Sequence, residues 1–599
     1  MTAKIILLAA IAAVAIGVVG AGAPRPASEQ RTFFVDYDRG SDGNSGTSPG
    51  QPWRHAPGDP QAAGRPKSTL LRAGDRVVFA SGVAYRGEIK IAASGTPGRP
   101  IVFESAPGDM AVLDGSDPVT VTPCRNADEC GGHSDWRGLV LIKNAAPLVQ
   151  GTALFLAKGG QMRLAQAPDP KNPFYAEEPE DMLAADASRL RRGEIHLSGN
   201  IPTPQVGDQV AIWVKSNTIV YRPVVKVVGR TAYFRESGLN LYTDRPGKVA
   251  FVGGISALSE DGEYVILPNG SAVAKLPQHA TTVTAGTGRG GFELQGASYV
   301  TIRGLLFRNM SDQNRLFGGV AILSNRRGSQ HIEIIGNRFL DMHMPLGQGA
   351  VTLRWASQIK VSNNQIERIR GGSGIRITGP ATGIEIRDNQ MRQVGRTGIM
   401  LMGVSEAEVR ANLVSDVRGV HGNGLSAYMD SRNVRFIGNT VVDAKQPATF
   451  KTNRGTGGAS GDIVFENNLL IATPGSLGSL ISWGTHGASV RLANNVLVGG
   501  RFGVRLNRQD SDVEVTGNAG IPPAPTEDFL TQASMAQNQW DAAPSRWSWL
   551  IAAARADMKL KRTSDQNSLR LCQQMFPHSN EESAVGVNLT CAATGASAP

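Results

Sequence analysis

Between residues 331 and 521 an asparagine returns every 23 to 29 positions, each time after a short β-rich strand and before an apolar stretch. The copies read IEIIGNRFLD, IKVSNNQIER, IEIRDNQMRQ, AEVRANLVSD, VRFIGNTVVD, IVFENNLLIA, VRLANNVLVG and VEVTGNAGIP, and the repeated residues are Asn337, Asn364, Asn389, Asn412, Asn439, Asn468, Asn495 and Asn518. A period of this size built from short strands, without helical segments, means a solenoid whose coils stack by parallel strand pairing. Leucine-rich repeats share the length but need a leucine-dense consensus that is absent. Stacked coils are expected about 4.8 Å apart. The asparagine is expected to take the left-handed conformation at a corner and to bond its own kind one coil away, which makes it architecture rather than chemistry.

Composition agrees with many short strands and tight turns: glycine is 71 of 599 residues, and aromatics are only 6%. The net charge of +10 points, in an exported chain, to a polyanionic glycan or cell envelope rather than to nucleic acid. A generally basic proteome is the competing explanation. Export itself is read from Lys4, the apolar run Ile5–Val19 and the small residues up to Ala23, so residues 1–23 are expected to be a signal peptide of a secreted or periplasmic bacterial protein. A retained N-terminal anchor is the alternative; no other segment of the chain suits a membrane span. The four cysteines fall into two local pairs, Cys124 with Cys130 and Cys572 with Cys591, as disulfides in an oxidising compartment would; metal-ligand spacing is missing.

The amino-terminal sequence FFVDYDRGSDGNSGTSPGQPW (residues 33–53), then LRAGDRVVFASGVAYRGEIKI and SGTPGRPIVFESAPGDMAVLDGS, resembles the cap and first coils of secreted right-handed parallel β-helix proteins of the pectate-lyase-like superfamily. The resemblance implies an all-β carbohydrate-active protein. Between Asp117 and about Thr287 the repeat lapses into short alternating strands such as ALFLAKGGQMRLAQAPDP and PTPQVGDQVAIWV, an expected antiparallel insertion similar to those of β-helix xylosidase- and fucosidase-type hydrolases. The expected organisation is a cap with first coils (30–116), an inserted β-rich domain (117–287), parallel β-helix repeats (288–521) and a C-terminal helical cap with a disulfide tail (522–599). Residues 540–570 are expected to form one helix, covering the open end of the solenoid. An elongated single chain with covered ends is expected to be a monomer.

Strand alternation divides each coil into inward and outward positions. Aligning the strand that follows each asparagine coil places Arg354, Arg376, Tyr428, Lys451, Asn453, Trp483 and Arg505 outward on one face, with Lys451 in the row of Arg376 and Asn453 in the row of Tyr428. Cations with aromatic platforms suit a chain of acidic sugars; an ordinary solvated face is the competing reading. The segment VSDVRGVHGNGLSAYMDSRN adds His421 on a glycine-flanked loop, Asn423 and Asp430. For a uronate polymer, β-elimination would use Arg376 to neutralise the carboxylate, His421 or Lys451 as base and Tyr428 as acid, with Arg354, Asn423, Asn453, Trp483 and Arg505 binding substrate. For a neutral glycan, hydrolysis would use Asp430 with Asp416 or Asp341 as a carboxylate pair. A non-catalytic glycan-binding or envelope-assembly role is the third reading. Asp341, Asp416 and Asp443 stand four residues past their corner asparagines, where turn capping competes with a calcium or catalytic role. Asp36, Asp38 and Asp42 resemble a calcium loop only loosely, so calcium is the one cofactor considered.

Overall fold

The computed structural model describes residues 30–559 apart from 158, 176–177, 216–217, 237, 242–245, 289, 312–318, 325–327, 346, 453–461, 486–487, 508–511, 525–537 and 541–543. Each coil lays down three strands, and each strand pairs in parallel with its counterpart in the next coil. One coil runs through Gly349–Arg354, Ala356–Ser362 and Gln365–Arg370. These stack on Ser373–Arg387, a single bent strand that serves two faces, and on Gln390–Val394. Three parallel faces result, with alternate apolar residues filling the interior of a right-handed β-helix. Like residues stack on like: Phe307 lies on Phe339 with ring centroids 4.9 Å apart, and Phe436 on Phe465 at 4.6 Å.

The repeated asparagines form one continuous ladder at the corner between the second and third faces. In each step the backbone N–H and the side-chain Nδ2 of one asparagine both donate to Oδ1 of the next, for instance at 3.1 and 2.9 Å from Asn389 to Asn412 and at 3.0 and 3.0 Å from Asn412 to Asn439. Nδ2 also donates to a carbonyl one coil back, as Asn412 does to Ile386 at 2.9 Å. Oxygen and amide hydrogens are thus both satisfied in residues that are wholly buried. The left-handed conformation belongs to the neighbour, contrary to expectation. It falls on the residue just before each rung: Gly336, Asn363, Asp388, Ala411, Gly438, Asn467, Asn494 and Gly517. That preceding turn rotates the asparagine side chain inward, where only a group with both a donor and an acceptor can bond both neighbouring coils. The ladder also runs past the expected end near Pro522. Asn518 donates to Asn538 at 2.8 Å, and Gln539–Trp540 adds one more strand on Ala519–Gly520.

The segment after Asp114 leaves and re-enters the solenoid at one place. Ser116–Pro118 pairs antiparallel with Val283–Gly286, forming a neck. Beyond the neck, Gly291–Leu294 stacks directly on Glu88–Ile91, Ser298–Arg303 on Ile101–Ser105 and Leu306–Arg308 on Val112–Asp114. The coils therefore keep their register across the insertion, whose antiparallel sheets hold their own apolar clusters around Ile212, Val249 and Phe251 and around Leu141, Val265 and Val273. Cys124 and Cys130 are bonded within it, their Cα atoms 6.1 Å apart. Cys572 and Cys591 lie outside the described residues, as does the apolar N-terminal segment. Among the described residues no helix is long and apolar enough to cross a membrane.

The C-terminal helix Pro544–Lys559 does not sit over the open end. It lies along the flank of the third face, Leu550 and Ala554 packing on Val442, Ile471, Val496 and Val498, while Arg555 pairs with Asp443 through Nη2 at 2.6 Å. The cause is in the strands: Val442, Ile471 and Val498 point outward and need an apolar cover. It is Trp540, on the last strand, that packs against the core at that end.

Replacing a central rung, Asn412→Leu, is expected to cost about 2–4 kcal/mol, because it strands the buried N–H and amide of Asn389 without their acceptor. The left-handed neighbour variant Asn363→Gly is expected to stay within about 0.5 kcal/mol of the parent, since glycine adopts that conformation freely. Urea-induced unfolding of both variants checks the pair; equal losses would place the constraint in the turn instead of the ladder.

Candidate active site

The site grows from one irregular turn between the third and first faces. Asn423, which opens a first-face strand, lies eleven positions after Asn412, but Gln446, the residue paired with Asn423 in the next coil, lies only seven positions after Asn439. The surplus forms an outward loop, Val417–Gly422. Its path depends on glycine: Gly419 has φ +78°, and a Cβ on Gly422 would sit 2.9 Å from both the Arg418 Cα and the Val417 carbonyl oxygen. His421 itself is held at φ +66°, a conformation that histidine tolerates better than most residues but still at a cost.

His421 points at the first-face strand Asn423–Met429 and joins a compact polar network. The Asn423 amide meets the imidazole Nδ1 at 3.2 Å and donates to the Tyr428 hydroxyl at 2.9 Å. That hydroxyl lies 2.5 Å from Thr449 Oγ1 and 3.5 Å from His421 Nε2. The imidazole roles follow the Asn423 amide. With its nitrogen toward the ring, Nδ1 accepts; with its oxygen there, which otherwise has no partner, Nδ1 donates and the lone pair stands on Nε2 beside Tyr428. Burial, with the Arg396 charge adding to it, pushes the His421 pKa down to about 4, so the ring is neutral at ordinary pH. Burial likewise raises the Tyr428 phenol.

Beside this network stands a cationic floor. Arg376 is pushed down to about 10 by burial and by the neighbouring charges of Arg396 and Arg354. Among the described residues its Nη2 meets the Met402 sulfur, at 3.0 Å, and its buried Nε has no partner. No carboxylate among the described residues pairs with it. A cleft of about 640 Å³ gathers Arg376, Arg396, His421, Tyr428, Lys451 and Trp483 from the solenoid with Glu180 and Trp213 from the inserted domain. Arg505 stacks over Trp483, 5.5 Å from its ring centroid.

The structure therefore brings together His421, Asn423, Tyr428, Arg376, Lys451 and Trp483, with Arg354 and Arg505 at their flanks. Lys451 stands one row from its expected place: it pairs with Tyr428, and Thr449 takes the row of Ser426, Met400 and Arg376. The shorter turn before Gln446 starts that strand earlier, which turns Ala448 and Phe450 inward in place of Phe450 and Thr452. Asn453 lies outside the described residues. The face is not an ordinary solvated one, since the outward residues Thr352, Met400, Ser426, Thr449 and Ile481 are all buried.

Asp430 is exposed on the turn after Met429 and does not line the cleft. Asp341 is buried and held by Arg368 through two 2.7 Å contacts, and Asp416 is held by Arg418 at 3.0 Å. Asp341, Arg368, Gln393, Asp416 and Asp443 all have φ between 52° and 58°, a column of turn residues. Each of the two carboxylates expected to partner Asp430 is thus engaged by an arginine. Asp36 accepts from the backbone of Asp38 and Arg39, and Asp42 from His55 and Ala63, which is turn capping rather than a cation loop. Among the described residues no cluster of three potential metal ligands exists.

Arg396, Thr449 and the insertion's Glu180 and Trp213 are missing from the sequence reading. Arg396 precedes Thr397, which pairs with Asn423, and Lys445 precedes Gln446; aligning the turns as well as the strands would have placed both beside the His421 loop. No pattern in the sequence signals how the insertion folds back onto the cleft.

A family model described as a right-handed beta helix region matches residues 279–441 and 327–519, the coils that carry the ladder. No curated protein matches the chain. Among solved structures, a protein described as a glycoside hydrolase aligns at 11% identity over 88% of this chain and 98% of its own, with a TM-score of 0.48. XylC in complex with xylose aligns at 11% identity over 85% and 86%, with a TM-score of 0.41, and a rhamnogalacturonan lyase at 9% over 85% and 87%, with a TM-score of 0.34.

The half-buried imidazole gives a direct check. In a titration followed by NMR, the His421 ring resonances are expected to move with a midpoint near pH 4. A midpoint near 6.5 would mean that the ring is open to water.

Proposed function

We propose that this chain is a polysaccharide-active enzyme that cleaves an acidic, uronate-containing glycan by β-elimination in the cleft beneath the inserted domain. The observation that supports the reading is a half-buried guanidinium, Arg376, whose Nε is buried and which pairs with no carboxylate among the described residues, set beside a neutral histidine and a tyrosine. A cation drawn partly out of water without a counter-ion is costly, and a substrate carboxylate would relieve it.

Elimination asks for three things. Arg376, aided by Arg396, neutralises the uronate carboxylate and so acidifies the C5 proton. His421, neutral and with its Asn423 neighbour turned so that the amide oxygen accepts from the Nδ1 N–H, receives the C5 proton on Nε2. The C5–H electron pair forms the C4–C5 double bond, the C4–O4 bond breaks, and Tyr428 gives its hydroxyl proton to the departing O4. Tyr428 is suited to the acid role because burial keeps it protonated, and Thr449 fixes its oxygen. Lys451 and the Trp483–Arg505 stack lie farther along the axis, where a charged polymer would continue.

Hydrolysis by a carboxylate pair finds less support. Glu180 is the one carboxylate among the described residues lining the cleft, and it is tied to Lys445 at 2.8 Å.

Digestion of a panel of acidic and neutral glycans tests the reading. An unsaturated, ultraviolet-absorbing product is expected from a uronate polymer; reducing ends without that absorbance would make the enzyme a hydrolase, and no cleavage would make it a binder. His421→Ala and Tyr428→Phe are each expected to lower kcat by about 10²–10⁴-fold, the usual worth of a general acid or base. Because the base is the neutral imidazole, kcat/KM is expected to hold as pH falls to about 4 and to drop below it, where the ring becomes protonated. An acid limb near 6.5 would remove His421 as the base.

A further inference from the structure

The inserted domain does more than wall the cleft. Three of its contacts converge on the loop that carries His421. The Tyr175 hydroxyl donates to the Asp416 carbonyl oxygen at the loop's foot. The buried Glu178 carboxylate accepts the Gly419 N–H at 2.8 Å. The Val420 side chain, wholly buried, belongs to an apolar cluster whose other members, Met182, Ala211, Ile219 and Ala250, all come from the insertion. Glu178 also receives the Lys445 ammonium at 3.1 Å, so one carboxylate ties together the corresponding turns of two successive coils.

The loop needs such an anchor. It is longer than the equivalent turn in the next coil, it is bordered by Gly419 and Gly422, and its histidine sits in a left-handed conformation. Strained backbone of this kind persists only where its surroundings over-determine it. On the amino-terminal side of His421 those surroundings come partly from the preceding coil, where the Arg418 N–H donates to the Val394 carbonyl oxygen at 3.2 Å, and partly from the inserted domain.

We infer that the inserted domain is a positioning device for the catalytic loop: Glu178, with Tyr175 and the Val420 socket, holds His421 in the orientation that faces Tyr428. Glu178 reaches no reacting atom and acts through the Gly419 amide. The inference rests on the assignment of His421 as the base for its kinetic consequence, but the clamp itself is read independently of activity.

The test is Glu178→Ala and Glu178→Gln in the full chain, with Tyr175→Phe as a milder variant that keeps the ring and removes only the hydroxyl contact. Two readouts are taken: steady-state kinetics on the acidic glycan, and the NMR titration of His421. Glu178→Ala is expected to lower kcat by about 30–100-fold with KM within about twofold, the signature of a misplaced group. It should also move the His421 midpoint upward from about 4 toward the solvent value. Glu178→Gln, which keeps an oxygen for the Gly419 N–H, should recover most of both, and Tyr175→Phe should shift both in the same direction by less. An unchanged midpoint in Glu178→Ala overturns the clamp whatever the rate does. A shifted midpoint with unchanged kcat supports the clamp and removes His421 from catalysis, so the two readings fail separately.

Discussion

Every other feature of this molecule depends on coils staying in register, and register is fixed by a buried amide bonding to the same amide above and below. Parallel strands alone leave a sliding freedom, because their hydrogen bonds are evenly spaced and their core residues are much alike. An asparagine that gives two hydrogen bonds forward and receives two from behind removes that freedom, since a slip by one residue would leave several buried polar groups unpaired at once. Residues far apart in sequence can then share one furrow with fixed spacing. Arg376, Tyr428 and Lys451 belong to different coils, and it is the ladder on another corner that holds them side by side.

How much of this the sequence disclosed follows from what repetition can encode. The ladder, the stacked parallel coils and most of the inward columns were legible because each recurs, and recurrence makes a weak local signal readable. The turns were not, because they are where the coils differ. The unequal turns after Val417 and Ala444 shifted the register of Lys451 and hid Thr449, and Arg396 stands on a turn of the preceding coil, although His421 and Tyr428 were visible from glycine flanks and strand alternation. The left-handed residues were misplaced by one position for a related reason: both asparagine and its predecessor are of turn-forming type in copies such as SNNQ and ENNL, and only the side chain's inward course separates them. The column of aspartates showed the reverse problem, a regular pattern whose cause was turn geometry and local ion pairing rather than chemistry. The contribution of Glu178, Tyr175, Glu180 and Trp213 lay beyond reach, since no periodicity links the insertion to the coils it touches.

The electrostatics of the cleft are those of a prepared surface. Arg376 and Lys451 are mounted on paired strands, the outward residues Thr352, Met400, Ser426 and Thr449 beside them are buried, and no carboxylate among the described residues cancels the charge of Arg376. Donors fixed before the substrate arrives need little reorganisation when charge develops on it, which is where most electrostatic catalysis originates. The same rigidity explains why the one mobile-looking element of the site, a glycine-bordered turn, is braced from a second domain.

The neck formed by Ser116–Pro118 and Val283–Gly286 has a consequence for how such molecules diversify. Its two strands are hydrogen-bonded neighbours, so the whole excursion enters and leaves through one small gate and the coils on either side meet as though nothing intervened. The entropy lost in closing a loop grows only with the logarithm of its length, so an excursion of this size burdens the solenoid scarcely more than a short hairpin. A different module can be spliced at that gate, over an unaltered axis, and bring a new roof to the same floor.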